Sequence, residues 1–448
     1  MNSDTTRLDA PLATAVADAD ATARVYRKVN LRLIPFLFIC YVAAYLDRIN
    51  IGFAQLQMKA DLGFSDTVYG LGAGIFFFGY ALFEVPSNLL LEKIGARKTL
   101  LRIMLLWGIT SACMMFVQTP TQLYIGRFLL GLFEAGFFPG IILYFTWWYP
   151  SRMRARIIAL FMSGMAVAGI IGGPLSGWIM TDMAGVNGWT GWQWMFLLEG
   201  LPAAFLGLLV WFVLDDRPAD AKWLSADDKE CIDATLRQDS RDLGPARHAS
   251  LRQALRDPII YILAFAYFAF IAGTYVITFW LPTIIKSFGL DDPLEIGLLT
   301  AIPYLIGAAG MVLLSKHSDQ TRERRWHCAF AAVLGGAGLV AATMLAGHLA
   351  LALVALSFAA IGILATMPLF WAIPTAYLSG PAAAGGIALI NSLGLVGGFV
   401  SPFVIGWLKT LTGSVNYGLY VVTALMVLGA LALVCKVPAA ALREKPKT

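Results

Sequence analysis

The chain has 448 residues, 58% hydrophobic and only 14% charged, with a formal net charge of +5. A soluble domain carries roughly 25% charged residues, so the composition excludes an ordinary soluble fold and points to an all-α membrane protein; 43 glycines suit closely packed membrane helices. The positive charge lies in short loops between apolar runs and does not signal nucleic acid. The five cysteines have no CxxC spacing, the four histidines are scattered, and no Gly-rich phosphate loop follows a strand, so neither a metal site nor a cofactor is expected.

A bilayer core requires about 20 apolar residues per helix. Twelve stretches meet this: 31–54, 67–91, 99–117, 121–145, 155–181, 192–214, 258–286, 295–315, 326–346, 350–378, 384–408 and 416–436. They divide the chain into a polar tail (1–30), a six-helix bundle (31–214), a charged linker (215–257), a second six-helix bundle (258–436) and a second tail (437–448). The tail at 1–30 has no apolar core of the kind a cleavable signal carries. Acids and bases alternate in the linker, which therefore reads as one or two solvated helices. Lys and Arg cluster around 24–32, 93–102, 152–156, 316–325 and 436–447, whereas the opposite loops hold only Lys59, Lys286 and Lys409. That asymmetry places both termini in the cytoplasm.

The first span carries Asp47, Arg48 and Asn50 in an otherwise oily segment. A charge at the bilayer centre costs about 3 kcal/mol on insertion scales, so such residues face a cavity or a partner. Asp47 and Arg48 are adjacent and point about 100° apart on a helix; each is expected to meet a different neighbour. In the fourth span, Arg127 and Glu134 are seven residues apart, on one face but about 10 Å apart along the axis, too far for a tight pair. A guanidinium fork suits a carboxylate, which makes Arg48 and Arg127 the candidates for gripping an anion. A buried carboxylate can take up and release a proton whereas Arg cannot, which makes Asp47 and Glu134 the candidate proton carriers. Tyr45, Tyr80, Asn391 and Trp371 are candidate lining residues, with Ser163, Tyr377 and Tyr144 weaker ones; Pro368 and Pro374 flank Trp371 and imply a bent helix.

The two halves repeat at an offset near 227. "YGLGAGIFFFGYALFEVPSNLLLEKIGARK" (Tyr69–Lys98) aligns with "IGLLTAIPYLIGAAGMVLLSKHSDQTRERR" (Ile296–Arg325), placing Gly70 with Gly297 and Glu92 with Asp319. Pro174 falls against Pro402 and Gly177 against Gly406. Duplicated halves that rock about a midplane site are a transporter signature.

These motifs carry a resemblance. "LLEKIGARKTL" (Leu90–Leu100) resembles the signature loop of the major facilitator superfamily, with Glu92 where the pattern has Asp and with Arg97 and Lys98 at its basic end. "YLDRINIGFA" (Tyr45–Ala54) and "YIGRFLLGLFEAGFFPGIILYFTWWYP" (Tyr124–Pro150) resemble its anion:cation symporter branch, which includes bacterial carriers of tartrate, galactonate and phthalate. The resemblance implies twelve helices in two pseudo-symmetric bundles, alternating access and proton-coupled import of an organic anion by a monomer in a bacterial inner membrane. It implies coupling and binding roles for Asp47, Arg48, Arg127 and Glu134, lining roles for Tyr80 and Asn391, and a gating loop at Glu92, Arg97 and Lys98, with Asp319 as its repeat equivalent. The galactonate-type members have a Gln on the fifth helix that is missing from "FMSGMAVAG" (Phe161–Gly169), which favours a small, tartrate-like dicarboxylate over a sugar acid. An aromatic-acid or sugar-acid symporter on the same fold, an exporter or exchanger, and a non-transporting membrane receptor or scaffold are the alternatives. An enzyme is not expected.

Overall fold

A computed structural model describes residues 9–242, 256–378 and 381–438. Among these, twelve helical spans are long and apolar enough to cross a bilayer: Asp20–Leu62, Asp66–Ile94, Ala96–Phe116, Pro120–Trp148, Ser151–Asp182, Gly191–Val213, Pro258–Lys286, Pro293–Thr321, Arg325–Met344, Leu349–Thr375, Gly386–Thr412 and Asn416–Lys436. They correspond one for one to the stretches read from the sequence. Six precede and six follow the linker.

The N-terminal segment differs from a free tail. One helix runs unbroken from Asp9 to Leu62. Val25, Tyr26, Val29 and Leu33 recur at helical spacing and are all buried, so the first span begins well before residue 31. The linker supplies the helix Ala226–Asp242, which docks on this extension. Asp228 accepts from Lys28 Nζ at 2.7 Å and also caps its own helix through Ser225. Residues 243–255 and the tail after residue 438 lie outside the described residues, as do residues 1–8.

The sequence repeat is visible as a reciprocal interface. The second span packs on the eleventh, and the eighth on the fifth. A Cβ on Gly406 would lie 2.3 Å from the Asp66 carbonyl, and one on Gly177 would lie 2.4 Å from the Pro293 carbonyl. These are equivalent positions in the two halves. Gly70 likewise abuts Pro402 and Gly406, as Gly297 abuts Gly173 and Pro174. The small residues let backbones approach where larger ones would hold them apart.

Hydrogen bonds between the halves gather at this same end, remote from the linker. Gln55 and Tyr69 both donate to the Phe279 carbonyl, at 2.8 and 3.0 Å. Lys286 donates to the Leu56 carbonyl, Thr181 to Asp292, and Asp66 holds Lys409 at 3.0 Å while also pairing with Lys59. The far end is therefore tied shut.

The fourth span is not continuous. Helix Pro120–Glu134 stops and helix Phe137–Trp148 begins after Gly136, whose φ is +87°. A Cβ there would also lie 2.5 Å from Ser87 Oγ, so both backbone and packing call for glycine. The break follows Glu134 directly.

Replacing Gly177 or Gly406 by Leu should destabilise the protein by about 1–3 kcal/mol, read as a lowered melting temperature in detergent. The two should behave alike; a loss confined to one would contradict the equivalence of the two interfaces. Separately, the hydrogen bond from Lys28 holds the Asp228 carboxyl below the usual carboxylate range. Its contribution is thus present above the unfolded value of about 4 and is lost as pH falls through the lower folded value. Asp228→Asn at neutral pH should speed amide exchange across Ala226–Asp242, and the parent should show that change only on acidification below about pH 4.

Candidate functional site

The helix geometry separates the adjacent charges of the first span. Asp47 points into its own half. It accepts from Trp107 Nε1 at 3.0 Å, from Asn50 Nδ2 at 3.1 Å and from the Ser111 hydroxyl, and it is only 1% exposed. Arg48 turns toward the fourth span. Its Nε and Nη2 both reach Oε1 of Glu134, at 2.8 and 2.5 Å. The guanidinium lies 5.3–5.5 Å from the ring centroids of Tyr45, Phe76 and Tyr80, an aromatic collar that favours a cation.

The pair is lopsided in two respects. Glu134 is fully buried, whereas the Arg48 side chain keeps 12% exposure. Both bonds go to one oxygen, and Glu134 Oε2 is buried with no hydrogen-bond partner among the described residues. Arg48 is thus the more exposed member of the pair, and Glu134 is sealed behind it.

Arg127 occupies a different place from Arg48. It is 1% exposed, its Nε lies 3.4 Å from the Gly72 carbonyl, and its guanidinium lies 5.1 Å from the Phe76 ring centroid. Its Nη2 is buried without a hydrogen-bond partner among the described residues. The two arginines therefore share one phenylalanine, and of the two Arg48 is the more exposed. Arg127 and Glu134 form no hydrogen-bonded pair, as their spacing predicted.

The opposing wall comes from the second half. Tyr267 stacks on Phe370, with centroids 5.1 Å apart, and meets Trp371 edge-on at 4.9 Å. Its hydroxyl lies 3.5 Å from Asn391 Oδ1. Asn391 in turn donates from Nδ2 to Oε1 of Glu84 at 3.2 Å, joining the halves near mid-span. Of the residues singled out from the sequence, Tyr45, Arg48 and Tyr80 form the first wall, with Glu134 behind Arg48. Trp371 and Asn391 belong to the second, while Asp47 and Arg127 stand behind the first.

The loop residues lie elsewhere, on the linker side. Arg97 stacks over Trp211 at 4.3 Å and donates to its carbonyl at 2.5 Å. The Arg97 backbone N–H binds Asp216, which lies against Gly95, a residue with φ +92°. Glu92 and Lys98 are exposed, and Asp319 pairs with Arg324 in its own half.

Glu84, Glu199, Tyr267 and Tyr275 escaped the sequence reading. Glu84 and Glu199 are each an acid in an apolar span, in "YALFEVP" and "FLLEG", and so carried the same signal that singled out Glu134. Glu199 is buried and accepts from Ser176 at 2.7 Å. Among the described residues, no group of three or more His, Cys, Asp or Glu side chains is placed to hold a metal ion.

Two repeated six-helix bundles with charged residues buried in the membrane interior are the architecture of a membrane carrier. The chain belongs to the Major Facilitator Superfamily, whose family model matches residues 37–402. It is 50% identical over 414 residues to a putative tartrate transporter of Agrobacterium vitis, covering 92% of this chain and 95% of that one. It is 43% identical over 405 residues to a quinolone resistance transporter of Acinetobacter baumannii, covering 90% and 93%. Its fold matches the inward-facing, occupied crystal structure of a bacterial homolog of the human lysosomal transporter Spinster with a TM-score of 0.72, at 17% identity and over 90% of this chain and 96% of that one. The protein is a secondary transporter of a small organic solute and not an enzyme.

Trp107→Phe keeps an aromatic ring but removes the N–H that satisfies Asp47. It should cost about 1–3 kcal/mol of stability, measured by thermal unfolding in detergent. The order of solute preference should stay unchanged, because Asp47 faces away from the outer site.

Proposed function

We propose that this protein is a proton-coupled importer of a small organic anion, a tartrate-like dicarboxylate in the first instance. It acts as a monomer in a bacterial inner membrane with both termini cytoplasmic. The observation that carries this reading is the position of Arg48, held by Glu134 on one side and open on the other. A solute carboxylate and the Glu134 carboxylate compete for one guanidinium. A carboxylate deprived of its cation in a buried place neutralises itself by binding a proton. A proton on Glu134 therefore frees Arg48 for the solute, and loss of that proton draws Arg48 back to Glu134 and expels the solute. One arginine shared by two anions is enough to link the two movements.

The geometry of the bundle supports alternating access. The halves are tied at the end remote from the linker, by Asp66 with Lys409 and by Gln55 and Tyr69 with the Phe279 carbonyl. With the linker in the cytoplasm, this is an arrangement closed to the outside. The tartrate preference is supported by the relative in Agrobacterium vitis and by the lack of a Gln in Phe161–Gly169. Asp47, with three donors and little exposure, stabilises the first half, so Glu134 is the proton carrier in this reading. Export is the second reading, favoured by the relative in Acinetobacter baumannii.

Proteoliposomes with an imposed inward proton gradient test the proposal. The parent should concentrate labelled tartrate above its equilibrium level. Arg48→Ala should lose binding by about 2–5 kcal/mol, abolishing uptake and counterflow together. Glu134→Gln should still exchange tartrate across the membrane but no longer concentrate it. Accumulation of solute against an outwardly directed gradient only would establish export, and concentrative uptake by Glu134→Gln would move the proton to another group.

A further inference from the structure

The site proposed for an organic anion contains an acid that has no place in simple anion binding. Glu84 is half-buried on the second span, four residues beyond Tyr80. The two share a helix face about one turn apart, about 6 Å along the axis. Tyr80 lies under the Arg48 guanidinium. Glu84 therefore stands on the same helix face as the ring beneath the cation that would grip a carboxylate. Its carboxylate accepts from Asn391 of the other half at 3.2 Å, which places it at the interface between the halves.

Glu84 does not neutralise Arg48, since that guanidinium bonds Glu134. Instead its Oε1 is held by the Asn391 amide at 3.2 Å, and Asn391 Oδ1 is in turn approached by the Tyr267 hydroxyl at 3.5 Å. Tyr267 is fixed by stacking on Phe370 and by close packing against Gly394. The chain Tyr267–Asn391–Glu84 orients the carboxylate across the interface between the halves. An ionised carboxylate only accepts hydrogen bonds. The site thus offers a donor fork at Arg48 and an acceptor at Glu84.

We propose that Glu84 is a specificity-determining residue that reads a hydrogen-bond donor on the transported anion, a hydroxyl or N–H close to its carboxylate, and so selects hydroxy acids over plain dicarboxylates. The inference rests on the reading of Arg48 as an anion site. A solute hydroxyl donates to Glu84 while the solute carboxylate rests on Arg48. A plain dicarboxylate brings bare oxygens or methylenes to the same place, leaving Glu84 either opposed by like charge or desolvated without a partner. A site built around a substrate hydroxyl discriminates strongly against an analogue that lacks it.

Tartrate and succinate make the comparison, being four-carbon diacids that differ only in hydroxyls. Each would be measured as a competitor of labelled tartrate counterflow in proteoliposomes, and by the ligand-induced rise in melting temperature of purified protein. The second readout does not need transport. The parent should prefer tartrate by at least about tenfold. Glu84→Gln, which adds a donor amide at the same length, should bring the ratio close to one, with succinate gaining. Glu84→Asp, which remains an acceptor, should keep the preference. A ratio is independent of how much of each preparation is folded. An unchanged ratio in Glu84→Gln, an equal collapse in Glu84→Asp, or a parent that prefers succinate would overturn the assignment while leaving the anion site standing. Failure of both acids to bind the parent in both assays would instead remove the anion reading, and this inference with it.

Discussion

The structure depends on the cost of burying charge. An unpaired ion in a membrane interior is unfavourable by several kcal/mol, and this chain places Asp47, Arg48, Arg127 and Glu134 close together inside its first half. Each is accommodated differently. Asp47 is satisfied by neutral donors on the first and third spans, Arg48 by Glu134 and three aromatic rings, and Arg127 by a backbone carbonyl and Phe76. Glu134 is the least satisfied, with one oxygen holding both bonds and the other holding none among the described residues. A group in that condition responds most to a change in its partner. That makes an incompletely satisfied pair more useful to a carrier than a perfect one.

Placing Glu134 there required breaking a helix. The fourth span stops at Glu134, turns through Gly136 in a left-handed conformation, and resumes at Phe137. Irregular backbone at membrane depth is tolerated where protein covers it, and here Ser87 of the second span lies directly against the turn. The same second span carries Phe76, Tyr80 and Glu84 along one side and packs with the eleventh span. It is therefore the element that joins the surroundings of Arg48 to the other half. The reciprocal glycine contacts at the far end give the two halves a matching pair of close interfaces.

Much of this was legible in the sequence. Membrane class, the number of spans and the duplication follow from local properties, namely apolar run length, charge in the intervening loops and a repeat at a fixed offset. The divergence of Asp47 and Arg48 followed from the 100° step of a helix, and the spacing of Arg127 and Glu134 ruled out their pairing. Other features were not legible. That Arg48 chooses Glu134, and that Arg127 is hidden while Arg48 is reachable, depends on how the first, second and fourth spans rotate about their axes. Periodicity identifies a face but not what covers it. The extension of the first helix back to Asp9 was obscured by its polar composition; its stripe at Val25, Tyr26, Val29 and Leu33 is buried within the protein, with Tyr26 against Tyr149 and the neighbouring Lys28 paired with Asp228 of the linker helix.

Glu84 marks the boundary most clearly. By composition alone it is as conspicuous as Glu134, a lone acid in an oily span. Its meaning comes from a bond to Asn391, more than three hundred residues away in the other half. The sequence by itself determined that the protein spans a membrane as two repeated sets of six helices and that a few charges lie within them, because hydrophobic length and helical period are properties of short segments. Tertiary structure alone decided which charges meet, which face the solute and which are sealed away, because those outcomes depend on contacts between helices remote in the chain.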